Sequence, residues 1–92
     1  MANAVVTVKI MPTSPEVDMD ALKQKALEII TSLNDGKETK ESIEPVAFGL
    51  KALNIIFVVD EAKGSPDPIA EKIAELEEVN SAQITDVRRA VG

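Results

Sequence analysis

Apolar and polar positions alternate near the start of the chain. In "AVVTVKIMP", Ala4, Val6, Val8 and Ile10 fall on one face, and Val5, Thr7, Lys9 and Met11 fall on the other. A period of two with β-branched residues predicts a half-buried strand. Pro12 and Pro15 end it and open a loop, "PTSPEVD". The period then changes. Met19, Leu22, Ala26, Ile29, Ile30 and Leu33 recur at helical spacing, with Lys23, Lys25 and Glu28 off that stripe. This predicts an amphipathic helix of about four turns. Asp18 stands where its carboxylate can accept N–H bonds at the positive end of the helix dipole. "NDG" at 34–36 stops the helix, because Asn and Gly tolerate the left-handed backbone of a helix end.

The second half repeats the scheme with different weights. "KETKESIEPVAFG" reads as a polar strand with Ile43 as its lone anchor, and Pro45 places it at a sheet edge because proline donates no ladder hydrogen bond. "LKALNIIFVVDE" puts Leu53, Ile55, Phe57 and Val59 on one face and belongs in the sheet centre. Gly64 and Ser65 make a turn, with Ser65 a candidate cap for a short acidic helix, "PDPIAEKIAELEE". Ile69, Ile73 and Leu76 sit on that helix at i, i+4 and i+7. A last strand is expected from about Ala82 to Arg89. Its alternation slips between Ile84 and Val87, which marks a bulge near Thr85–Asp86.

The order βαββαβ, with right-handed crossovers, gives an α+β fold of the ferredoxin-like split βαβ kind. It is a four-stranded antiparallel sheet, order 4-1-3-2, with two helices on one face. The other face is left open. Val5, Ile56 and Val58 would lie close together there, either wet or packed against something.

Composition narrows the function. The chain has 92 residues, enough for one domain, and carries 16 acidic against 10 basic residues for a net charge of −6. That balance repels phosphate backbones and anionic membranes, and it favours a partner with a basic surface. No nucleic acid or membrane partner is therefore expected. Cysteine and histidine are both absent, which excludes disulfides, thiolate metal sites and Ser-His-Asp or Cys-His catalysis. No apolar run approaches the roughly 18 residues of a membrane span, and the N-terminus lacks the basic region of a signal peptide, so a cytoplasmic location is the default. The only aromatics are Phe48 and Phe57, and Phe57 points to the core, so the base-stacking platform of RNA-binding domains of this fold is missing. "PTSPEVD" has no basic residue to hold a phosphate. Asp60–Glu61, Glu77–Glu78 and Asp18 with Asp20 read as solvated or helix-end charges. Nothing forms a catalytic set, and no cofactor or metal site is expected.

A surface that touches another macromolecule remains. In "VAFGLKAL", Phe48 precedes Gly49 at the tip of the hairpin joining the second and third strands. The ring either projects from the domain or folds back over the core. In "DVRRAVG", Arg88 and Arg89 are the only arginines of an acidic chain. They alternate faces on a strand, and either pair with neighbouring carboxylates or meet a partner.

"VKIMPTSPEVDMDAL", "EPVAFGLKALNIIFVVDE" and "VNSAQITDVRRAVG", in that order, resemble the family of the archaeal beta subunit of translation elongation factor 1. The resemblance covers essentially the whole chain, and "PVAFGLKALNI" is its most specific part. It implies a single exchange-factor domain over residues 1–92. The implied activity is guanine-nucleotide exchange: release of GDP from the alpha-subunit GTPase that carries aminoacyl-tRNA to the ribosome. GDP, GTP and Mg²⁺ would be bound by that partner and not by this chain. The family disturbs the switch region and the Mg²⁺ site beside the nucleotide. No bond in the nucleotide breaks, so an enzyme's nucleophile and base are not required. By the same resemblance, Phe48 is the aromatic of a hairpin that contacts the GTPase away from the nucleotide, and Gly49, Leu50 and Lys51 continue that motif.

Eukaryotic members of the family end with a penultimate lysine that reaches toward the Mg²⁺ site. This chain departs there, ending in Ala90, Val91 and Gly92. Arg89 lies nearest the lysine's place, with Arg88 beside it. Arginine is bulkier and forked, so it is no simple replacement. An interface role for Arg89 follows more directly than displacement of Mg²⁺. A competing expectation from a different class is a small ligand-sensing or protein-interaction module that dimerises through its open sheet face.

Overall fold

The computed structural model describes residues 3–33, 39–46, 49–60 and 66–90, with the side chains of Leu33, Arg89 and Ala90 outside that description. The elements are β1 (Asn3–Pro12), α1 (Met19–Leu33), β2 (Thr39–Pro45), β3 (Lys51–Asp60), α2 (Asp67–Ala74) and β4 (Val79–Ala90). The strands form one antiparallel sheet in the order β2-β3-β1-β4. This is the expected ferredoxin-like layout.

Burial follows the period-two pattern. Ala4, Val6, Val8 and Ile10 of β1 are buried, as are Leu53, Ile55, Phe57 and Val59 of β3. The register pairs the two rows: Val6 faces Phe57, and Val8 faces Ile55. Leu22, Ala26 and Ile30 of α1 and Ile69, Ala70 and Ile73 of α2 join the same core cluster, so both helices pack on that face. Asp18 caps α1 as expected, its Oδ1 accepting from the N–H groups of Asp20 at 3.0 Å and Ala21 at 3.3 Å. Asn34, Asp35, Gly36, Gly64 and Ser65 lie outside the described residues.

Two boundaries differ from the sequence reading. α2 ends at Ala74, short of Glu78. There the Glu75 N–H donates to the Lys72 carbonyl and the Leu76 N–H to the Ile73 carbonyl. Each partner is three residues back, the tightened turn that closes many helices. β4 in turn begins at Val79, ahead of Ala82. Val79 faces Pro12 across the sheet and is buried, so tertiary pairing claims residues that local pattern leaves to the turn. At its start α2 has Pro66 in the N-cap position, with no side-chain cap bond.

The bulge is where the slipped alternation puts it. Val8 pairs with Ile84 and Thr7 with Asp86, leaving Thr85 as the extra residue. A second irregularity lies between Met11 and Pro12. After the first, Val87 returns to register opposite Val6, yet it stays 53% exposed.

Candidate functional site

The hairpin between β2 and β3 closes at its base with the Val46 N–H donating to the Leu50 carbonyl at 2.9 Å. Gly49 has φ of +75°. A Cβ there would meet nothing within 4 Å, so the glycine answers a backbone demand and not a shortage of space. Leu50 is half-buried, and Lys51 is exposed opposite Pro45. Phe48 lies outside the described residues.

The arginines sit on β4. Arg88 faces Val5, and Arg89 faces Ala4. Val5 belongs to the open face, and the Arg88 side chain is 79% exposed there. Its Nε donates to Asp86 Oδ2 at 2.9 Å. Arg88 thus has the carboxylate neighbour that period-two spacing places on its own face. In the sequence Asp86 is marked only at the bulge, although its place two residues before Arg88 is the signal for this pair.

The two predicted segments are not brought together. Arg88, Val5 and Val58 lie in one row across the sheet, whereas Lys51 begins β3 at the opposite end. Lys51 and Val58 are seven residues apart, which is about 23 Å of strand. The hairpin and the arginines therefore lie toward opposite ends of the strand ladder, in a molecule that measures 42 × 20 × 18 Å.

Two depressions lie between these ends. On the helix side, Asp67 and Glu71 rim a groove of about 520 Å³ floored by Ala70, Ala74, Ala82 and Ile84. On the open face, Val5, Ile56 and Val58 border a smaller one of about 270 Å³, with Thr39 and Lys40 at its side. The expected apolar grouping of Val5, Ile56 and Val58 is therefore present. Elsewhere on that face Lys9 Nζ lies 3.6 Å from Glu44 Oε1.

One ion pair ties the layers at the hairpin end. Lys25 of α1 bonds to Glu78 Oε2, just before β4, and the Glu78 carbonyl accepts from the Thr13 N–H at 2.9 Å. The hydrogen bond from Lys25, then the backbone N–H of Glu78 itself, hold the Glu78 carboxyl below its ordinary range. The same bond raises the Lys25 ammonium. No helix among the described residues is long and apolar enough to cross a membrane.

The fold is similar to that of the de novo designed protein Foldit4, at a TM-score of 0.63 and 16% identity, covering 98% of each chain. That likeness concerns the fold alone. Elongation factor 1-beta of Methanosphaera stadtmanae is 43% identical over 89 residues, covering 97% of this chain and 98% of that protein. Elongation factor 1-beta of Methanothermobacter thermautotrophicus is 43% identical over 90 residues, with the same coverage. The EF-1 guanine nucleotide exchange domain matches residues 5–90, a span that runs from Val5 on the open face to the last residue of β4, and the chain belongs to that family.

Proposed function

We propose that this guanine-nucleotide exchange factor of translation elongation holds the elongation factor 1 alpha GTPase at both ends of its sheet and thereby expels GDP. Its family supplies the activity. The hairpin of Phe48, Gly49, Leu50 and Lys51 is one grip. Arg88 and Arg89 are the other, placed beside the nucleotide. The single observation that supports this division is the separation of about 23 Å along β3 between Lys51 and the row that contains Arg88. Segments so far apart on one sheet cannot share one small contact. They suit a partner that is anchored at one end and disturbed at the other.

In such GTPases Mg²⁺ and the phosphate-binding loop hold the phosphates. Guanidinium forks that grip carboxylates of the GTPase beside that site would pull on the segments that hold the ion, without themselves taking its place. Loss of the ion weakens GDP binding without breaking any bond in the nucleotide. Linkage makes the effect reciprocal: if the factor lowers the affinity for GDP, GDP lowers the affinity for the factor by the same ratio. GTP then refills the emptied site and releases the factor.

The test is stopped-flow release of a fluorescent GDP analogue from the cognate GTPase. Phe48→Ala and the double variant Arg88→Ala, Arg89→Ala are each expected to slow release while the fold persists. Release at the wild-type rate by both would mean that the grips lie elsewhere.

A further inference from the structure

Register joins Arg88 to the open face. Arg88 faces Val5, and Val5 faces Val58. One step along, Asp86 faces Thr7, Thr7 faces Ile56, and Ile56 faces Lys40 on the edge strand β2. Opposed Cβ atoms in an antiparallel sheet are about 4.5–5.5 Å apart. A body that covers the Arg88 guanidinium therefore also stands over Val5.

The surface it would meet is unusual for this molecule. Ile56 is 40% exposed, and Val5 and Val58 are half-buried. They border the depression of about 270 Å³, away from the face on which the helices pack. The chain has a net charge of −6, yet among the described residues that border this depression the charged one is a cation, Lys40. Arg88 stands on its far side, and Asp86 is already paired with it.

We propose that the GTPase partner covers this face with a segment that is apolar at its centre and acidic along its edges, running from Arg88 over Val5, Val58 and Ile56 to Lys40. The inference rests on the reading that Arg88 meets the GTPase. A second copy of this chain fits the face poorly. A two-fold pairing would set the Lys40 cations of both copies around one small apolar centre. Three apolar side chains also fall far short of the roughly 800 Å² per partner of a stable interface. The face is better suited to continue a contact than to make one alone.

The experiment measures GDP release from the GTPase as a function of factor concentration for Lys40→Glu, Ile56→Ser and Arg88→Ala. Lys72→Glu, an equal charge change on exposed α2, is the control for long-range steering. Melting curves report folding, and light scattering reports the oligomeric state. Lys40→Glu and Ile56→Ser are expected to raise the half-saturating concentration by about tenfold, the size of one well-buried interface contact, with Lys72→Glu within about twofold and all variants folded monomers. Wild-type behaviour by Lys40→Glu and Ile56→Ser beside a defective Arg88→Ala would overturn the proposal while leaving the arginine grip in place. A normal Arg88→Ala would overturn the proposal at its premise, whatever Lys40→Glu and Ile56→Ser show. A wild-type dimer that Ile56→Ser dissociates would assign the face to a second copy and overturn the proposal.

Discussion

Arg88 and Asp86 pair along one strand, Nε to Oδ2 at 2.9 Å, with both side chains on the open face of the sheet. The pair is well exposed, at 79% and 45% of the two side chains. Exposed pairs contribute about 0–1 kcal/mol to stability. Arg88→Ala is therefore expected to shift the melting temperature little, while slowing GDP release at subsaturating factor by about tenfold, or about 1.4 kcal/mol. Asp86→Asn should give a smaller defect, because the guanidinium stays and only its orientation is loosened. Melting curves and release kinetics on the same samples check both.

Gly49 holds a left-handed backbone at the hairpin tip. Any side chain there adopts a conformation that costs about 1–2 kcal/mol. Gly49→Ala is expected to lower the melting temperature by about 4–8 °C per kcal/mol in a domain of this size. Gly49→Asn should lose less, since asparagine visits this region readily. Equal losses by the two would show that the left-handed backbone does not govern the position.

Ile55 and Ile56 are neighbours with opposite fates. Ile55 is fully buried and Ile56 is 40% exposed. Ile55→Ala is expected to cost about 2–5 kcal/mol, through lost transfer energy and the cavity left behind. Ile56→Ala should cost about 0.5 kcal/mol or less. Urea unfolding of the two variants is a direct test of register, because a one-residue slip would exchange the results.

Lys25 and Glu78 set a pH window. The Glu78 carboxyl is held below its ordinary value of 4.5, first by the hydrogen bond from Lys25. A lowered acid stabilises the fold above its unfolded pKa and loses that contribution as pH falls through the folded one. Lys25 is raised above 10.5, first by the bond to Glu78. Its contribution is complete below the unfolded value and lost as pH rises through the folded one. Melting temperatures of the wild type and Glu78→Gln should differ by a constant, small amount at neutral pH. They should converge below pH 4.5 and again above pH 10.5. A difference that changes across the neutral range would assign the effect to other groups.

Much of the fold can be read from local pattern. The alternation of Ala4, Val6, Val8 and Ile10, the helical spacing of Leu22, Ala26 and Ile30, and the Asp18 cap all reappear where expected. So does the bulge at Thr85. The end of α2 and the start of β4 depart from what local pattern predicts, because Val79 joins the sheet through Pro12, a residue remote in sequence. Of the candidate site, Gly49 at its turn and the alternation of Arg88 and Arg89 between the two faces are legible from residue type and spacing; which of the two lies on the open face is not. The distance between the two grips is not legible either, because it depends on which strands pair.

By itself, the order of residues determined which side chains share a face, where each helix or strand is interrupted, and which chemistries are absent. Those properties follow from backbone periods of 2 and 3.6 residues and from the side chains present. Only the tertiary structure decided which faces meet. It put Val58, Val5 and Arg88 in one row, placed Lys40 beside that row from a separate strand, and set the hairpin at the far end. Strand pairing joins residues distant in sequence, and it is chosen by collective burial of the core face, a quantity no short window of the chain contains.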